Sequence, residues 1–253
     1  MRTNYRKKWL RDFLVRSDYW RYLLWRLSCR SQQITLKLQN KKKIVIRPLP
    51  TTDLATAYEI FVDEAYQKPM QVPEILPSLI VDIGANVGYS IIDFNYKYPN
   101  ANLVAFEPHP AHLLMIHRHL EINSLLNKVQ VVEEAVSNCN SEMFLTNQEN
   151  ESKVVGINEK DYLPIKVCDF FTWIGTKTID LLKMDIEGSE YAILNDKRFE
   201  TINIYTIVLE WHNTEEIPNG HQWCSDRLTA LGYKVTDGKL KYVNAGIIWA
   251  WKN

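Results

Sequence analysis

The ten residues Leu79-Ile80-Val81-Asp82-Ile83-Gly84-Ala85-Asn86-Val87-Gly88 constrain this chain more than any other stretch. A short apolar run ends in an acid, then passes through two glycines into an apolar-periodic segment over residues 89–96. That pattern predicts a buried parallel strand, a tight loop and the first turn of a helix. A loop of this kind is expected to aim backbone N–H groups at a ligand, with glycines permitting its close approach.

Further strand-like runs alternate with helix-like segments downstream, which predicts an α/β domain with a mostly parallel, doubly wound sheet. The strands are expected at 103–106, 129–132, 179–184, 205–209, 233–236 and 246–251, with helices at 111–122 and 222–231. A helix to about residue 98 is stopped by Pro99 and Asn100, and another runs from Gly188 to Leu194. Residues 138–161, rich in Asn, Glu, Ser and Lys, read as a strand remnant at 143–145 plus a surface loop.

The part before residue 79 reads as an N-terminal helical and hairpin extension over residues 1–50, with the α/β domain over 51–253. Strands at 34–38 and 44–46 flank a turn, and Thr52 or Asp53 can cap a helix running to about residue 66. Pro69, Pro73 and Pro77 then mark an extended connector. Residues 5–27 place Trp9, Phe13, Trp20, Leu24 and Leu27 near one side of a helix. Formal net charge is +0, yet the first fifty residues hold fourteen Lys or Arg against only Asp12 and Asp18. That asymmetry suits either a helix at an anionic lipid surface or one packed on its own domain or across a dimer.

Four cysteines (Cys29, Cys139, Cys168 and Cys224) form no CxxC pair and no disulfide framework, so a cytoplasmic location is expected. No apolar run approaches the roughly 18–20 residues that span a bilayer, which leaves a peripheral position at a membrane's inner face as the lipid option. The balanced overall charge argues against nucleic acid as a partner.

Polar residues gather where parallel strands end: Asp82, Glu107, Glu134, Asp185, Glu187, Glu210 and His212. Ligands of doubly wound sheets sit there. The loop lacks the third glycine of G-x-G-x-x-G, which disfavours a dinucleotide. Glu107, about twenty-five residues past Asp82, can accept hydrogen bonds from both ribose hydroxyls and would repel a 2′-phosphate.

Five segments occur in order: Asp82-Ile83-Gly84-Ala85-Asn86-Val87-Gly88, Glu107-Pro108-His109-Pro110, Ala135-Val136-Ser137, Val167-Cys168-Asp169-Phe170 and Lys183-Met184-Asp185-Ile186-Glu187-Gly188-Ser189-Glu190. Together they resemble the FkbM-type S-adenosylmethionine-dependent methyltransferases. The resemblance implies a class I, Rossmann-like methyltransferase fold, S-adenosyl-L-methionine as cofactor, and methyl transfer to a hydroxyl of a sugar, glycan or natural product. It assigns Asp82, Gly84, Asn86 and Gly88 to the methionine end of the cofactor pocket, Glu107 to the ribose, and Glu134 and Ala135 to the neighbourhood of adenine.

For catalysis, Asp185 is the first candidate for a base or acceptor ligand. His212, placed just past the fifth strand, is the second, since an ordinary imidazole titrates near about 6.5. Glu210 orients His212 or touches the substrate; Lys183 and Glu187 support the site, or else neutralise acids and complement a helix dipole. Asp169 reads as a helix cap. No metal is required, although Asp185, Glu187 and Asn213 offer oxygen ligands suited to magnesium; His109, His112, His117 and His119 do not make a zinc pattern. The rival readings are a nitrogen-directed methyltransferase, which lacks the expected Asn/Asp-Pro-Pro-aromatic segment, and a silent cofactor-binding module acting through its basic arm.

Overall fold

The computed structural model describes residues 13–28, 32–145, 154–155 and 162–252. The elements in chain order are α1 (Arg16–Leu27), β1 (Ile34–Lys37), β2 (Lys43–Ile46), α2 (Asp53–Phe61), β3 (Leu79–Ile83), α3 (Tyr89–Lys97), β4 (Asn102–Phe106) and α4 (Pro110–Ile122). There follow β5 (Val129–Val132), β6 (Ala135–Ser137), β7 (Ser141–Leu145), β8 (Val154–Val155), β9 (Leu163–Asp169), α5 (Phe170–Ile174) and β10 (Thr178–Met184). The chain closes with α6 (Glu190–Asn195), a 3-10 turn (Lys197–Glu200), β11 (Asn203–His212), α7 (Gly220–Ala230), β12 (Lys234–Lys241) and β13 (Ala245–Trp251).

Seven strands form the main sheet in the order β12-β13-β11-β10-β3-β4-β5. The five from β11 to β5 are mutually parallel, and β13 runs antiparallel to both β11 and β12. This is the mostly parallel, doubly wound arrangement that the strand–helix alternation predicts. Successive residues of a strand face opposite sides, so each central strand feeds two cores. Val81, Ile83, Leu182, Met184, Ile207 and Leu209 join the core under α5, α6 and α7. Ile80, Leu181, Val208, Ile247 and Trp249 join the other core, which α3, α4, α2, the β1–β2 hairpin and α1 complete. Asp82, Lys183, Asp185, Glu210 and His212 are two or four residues from members of that second set, so the charged groups lie in the N-terminal elements' layer.

The structure departs from the sequence reading in several places. Helix α2 ends at Phe61, because the chain turns through Glu64 at φ 52. Thr52 makes no side-chain cap, and Asp53 is instead clamped by Arg47 through the backbone N–H at 2.8 Å and the guanidinium at 2.8–3.2 Å. Strand β9 is unforeseen: it pairs with β6 and β7, and β8 extends this second, four-stranded sheet. Its alternation buries Ile165 and Val167 against Ala135 and Leu145, but Pro164 masks the strand signal. Strand β11 runs on to His212 because β13 pairs with it as far as His212 opposite Ala245.

Helix α1 also differs. Residues 5–12, with Trp9, lie outside the described residues. The helix packs on its own domain through Tyr22 and Asp18, and Trp20, Leu24 and Leu27 turn outward. Asp18 decides this orientation by accepting the backbone N–H of Lys37 on β1. Among the described residues, no helix is long and apolar enough to cross a membrane.

Candidate active site

The Gly84–Gly88 loop leaves β3 at its carboxyl end, but its backbone N–H groups do not point at an open ligand site. Gly84 and Ala85 both donate to the Phe106 carbonyl at 3.1 and 3.0 Å, and Gly88 donates to Ala85 at 2.8 Å. Asn86 N–H reaches Glu107 Oε2 at 2.8 Å, and Val87 N–H reaches the Asn86 side chain at 2.7 Å. All five donors are therefore spent inside the protein, which corrects the expectation of a backbone cradle. The glycines answer to packing instead. Gly84, at φ 82, lies so close to the Asp185 carbonyl that any Cβ would clash with it, and a Cβ on Gly88, at φ 88, would press on Ile116 at 3.1 Å.

Asp82 is fully buried. Its carboxylate accepts Ser90 Oγ at 2.6 Å and faces Lys183 Nζ at 3.1 Å. It thus holds the lysine in place and presents no oxygen to solvent. Lys183, itself 2 % exposed, donates to the Gly84 carbonyl at 2.5 Å and lies 3.6 Å from Asp185 Oδ2. Parallel register explains the meeting, since Lys183 pairs with Asp82 across β10 and β3. Burial would lower the Lys183 ammonium, but Asp82 and Asp185 outweigh it and raise its pKa. Tyr66 closes this side by donating to Asp185 Oδ2 at 3.3 Å. Thr56, Ile60 and Tyr66 roof a narrow cleft floored by the glycine loop, Lys183 and Asp185.

Glu107 stands at the end of β4 and is 5 % exposed. It accepts Asn86 N–H, His109 N–H at 2.9 Å and pairs with His112 Nδ1 at 3.2 Å. Glu134 follows β5 beside the Cys168 thiol, and burial followed by the Glu134 charge pushes that thiol up to about 11. Ala135 opens β6 and is buried.

On the neighbouring strand ends, His212 is the hub. Its Nδ1 faces Glu190 Oε1 at 3.2 Å, and its backbone N–H donates to the same oxygen at 3.2 Å. Glu190 is wholly buried and anchors its other oxygen on Gly188 N–H at 2.8 Å. Tyr191 Oη donates to the His212 carbonyl. His212 Nε2 then faces Glu187 Oε2 at 3.7 Å and Glu210 Oε1 at 3.9 Å. The orienting acid is therefore Glu190, a residue that otherwise reads as a first-turn acid. Glu210, two residues from His212 on one strand face, lies beyond hydrogen-bond distance of Nε2.

The charges here perturb one another. Burial alone would lower the His212 imidazole, but the Glu190 hydrogen bond and the charges of Asp185, Glu190 and Glu187 raise it to about 9. His212 is thus a cation at neutral pH, which corrects the expectation of an ordinary imidazole base. Burial and then Asp185 raise Glu210 well above the carboxylate range, and burial and Asp185 bring Glu59, on α2, to about 7.

Asp185, Glu187 and His212 place one ligand-type atom each within 4.8 Å of one another. Asn213, next along the chain from His212, accepts Gly220 N–H on its Oδ1 at 2.9 Å. The histidines of α4 and its cap make their contacts elsewhere. His109 caps α4 through Nδ1, and His117 sits 3.7 Å from Glu133. His119 accepts Val45 N–H at 2.8 Å and donates to the Val87 carbonyl at 2.7 Å. Asp169 caps α5, as expected, and also meets Arg198 at 2.8 Å. Tyr66 and Glu59 were not foreseen as site residues, and no local pattern marks them.

Sheet order, the acids at the strand ends and the partial exposure of Asp185 and Glu187 define a class I methyltransferase architecture. The family model described as "Methyltransferase FkbM domain" matches residues 82–235, more than half of the chain, and the chain belongs to that family. "Methyltransferase 1" of Beauveria bassiana is 26 % identical over 179 residues, covering 60 % of this chain and 71 % of that protein. "Methyltransferase sdnD" of Sordaria araneosa is 28 % identical over 178 residues, covering 54 % of this chain and 65 % of that one. Among solved structures, methyltransferase FkbM from Methylobacillus flagellatus KT superposes with a TM-score of 0.55 at 13 % identity. That match covers 75 % of this chain and 47 % of the other, so this chain spans about half its length and the likeness is one of fold.

Proposed function

We propose that this chain transfers a methyl group from S-adenosyl-L-methionine to a hydroxyl of a sugar, glycan or natural product. The observation that carries the reading is the pairing of two differently held groups on adjacent strand ends. Asp185 is held by Tyr66 and sits beside Lys183, while the His212 ring is fixed by Glu190.

The donor chemistry of the loop region fits the cofactor. With the five loop N–H groups spent, the loop offers no phosphate cradle, which suits a nucleoside without phosphates. Glu107 accepts at both oxygens yet a carboxylate has about four lone-pair sites, which leaves capacity for ribose hydroxyls. The Asp185 carboxylate lines the cleft and suits a cationic ligand beside it. Glu107 would hold the ribose, and the Gly84–Gly88 loop with Asp185 would flank the methionine end. When bound, the cofactor supplies an electrophilic methyl on a sulfonium.

Asp185 is the proton acceptor in this reading, being 25 % exposed and held on one side only. His212, as an imidazolium, faces Glu187 and stabilises negative charge developing on an acceptor oxygen. Placing the acceptor against the methyl contributes the remainder, since in-line displacement rewards alignment. Calorimetry with S-adenosylhomocysteine tests the cofactor assignment, and mass spectrometry of hydroxylated acceptors for one added methyl tests the acceptor. No binding of the thioether would overturn the cofactor assignment. Methylation found only on nitrogen would overturn the oxygen-directed reading.

A further inference from the structure

The outward face of α1 is unlike the rest of the layer to which it belongs. Trp20, Leu24 and Leu27 are 58, 68 and 85 % exposed. Their spacing of four and three residues puts them within an arc of about 60° on a helix of 3.6 residues per turn. Arg16 and Arg21, also exposed, flank this stripe, and exposed Arg26 lies further round the helix. Arg21 pairs with Asp18 at 2.7 Å while its side chain remains 57 % exposed. Asp18 is the only acid among residues 13–28, and it is buried against Lys37. The outward face therefore presents apolar side chains and cations with no exposed acid. Upstream in the sequence, Arg2, Arg6, Lys7, Lys8 and Arg11 stand against the one acid Asp12.

We propose that this face of α1 docks on an anionic lipid surface. Trp and Leu enter the headgroup boundary, and the arginines meet lipid phosphates and carboxylates. Charge complementarity selects this occupant over a second copy of the chain, because two such faces would set arginines against arginines. The opposite side of α1 is well anchored, through buried Tyr22 and the Leu14–Leu38 bridge. Phe13, just before the helix, stacks on Phe61 at 5.5 Å, and Phe61 ends the helix whose Thr56 and Ile60 line the cleft. A docked α1 thus holds the cleft's roof close to the lipid surface, independently of which acceptor the enzyme uses.

Vesicle flotation with the full chain tests this, using phosphatidylcholine alone or mixed with phosphatidylserine, at low and high salt. The chain is expected to float with the mixed vesicles only and to be released by salt. The triple variant Trp20→Ser/Leu24→Ser/Leu27→Ser should lose binding at least about tenfold. Its melting temperature should be unchanged, because all three side chains are more than half exposed; Arg16→Glu should weaken binding in the same sense. Failure of the full chain to float on mixed vesicles, or equal flotation of the triple variant, would overturn the proposal. So would a sedimenting dimer that the triple variant dissolves, or retention on a single-stranded oligonucleotide without flotation.

Discussion

Gly84 and Asp185 touch backbone to backbone: the space a Cβ would need on Gly84 is filled by the Asp185 carbonyl oxygen. This contact locks the end of β10 to the loop after β3, and Asp185 N–H donates to the Ile83 carbonyl at 3.1 Å beside it. The candidate proton acceptor is therefore positioned by the glycine loop itself. Gly84→Ala adds a methyl into that contact and forces a left-handed φ on an L side chain. The expected cost is about 2–4 kcal/mol from strain and overpacking. Urea unfolding checks it; an unchanged midpoint would mean that the two loops separate freely.

Asp185→Asn keeps the shape of the side chain and its Tyr66 contact but removes the proton acceptor. S-adenosylhomocysteine affinity should stay within a few-fold by calorimetry, while turnover falls at least about a hundredfold. Full turnover in this variant would move proton acceptance to another group.

Glu190→Gln tests the dyad. The carboxylate favours the imidazolium, so its loss should bring His212 from about 9 down toward the ordinary value near about 6.5. Histidine NMR titration reads this directly. An unmoved His212 resonance would show that Asp185 and Glu187 alone hold the charge.

His119 links the hairpin to the glycine loop as a neutral imidazole, pushed down to about 4 by burial despite its hydrogen bonds to Val87 and Val45. Its folded pKa lies below the unfolded one, so the unfolded chain binds the extra proton between about pH 6.5 and pH 4. Stability from this residue is complete above about pH 6.5 and is lost as the pH falls toward 4, by roughly 3 kcal/mol. His119→Gln cannot titrate and should flatten that slope of melting temperature against pH. A slope equal to the parent's would assign the acid sensitivity elsewhere.

Much of the architecture was legible because it is written in short-range patterns. Apolar runs ending in an acid locate β3, β4 and β10, and Pro99 and Asn100 stop α3 where the helix ends. Lys183 and Asp185, and likewise Glu210 and His212, share a strand face by their two-residue spacing alone. Strand β9 escaped because Pro164 interrupts it and its partner residues lie 18 or more residues away. The outward turn of Trp20, Leu24 and Leu27 was equally invisible, since the anchor of α1 is the Asp18–Lys37 bond, which no periodicity encodes.

The sequence by itself determined the strand–loop–helix order, the family's ordered motifs and the set of acids delivered to the strand ends, all properties of local spacing. Tertiary structure alone decided what those groups became. Asp82 met Lys183, Asp185 met Tyr66 from 119 residues away, and Glu190 took hold of His212. The physical reason is that burial and neighbouring charge set a group's protonation and its free hydrogen-bond capacity, and both depend on partners that only packing brings together. The opening glycine loop shows the difference: its residues announced a ligand cradle, and folding spent its N–H groups on the Phe106 carbonyl, Glu107 and the loop itself.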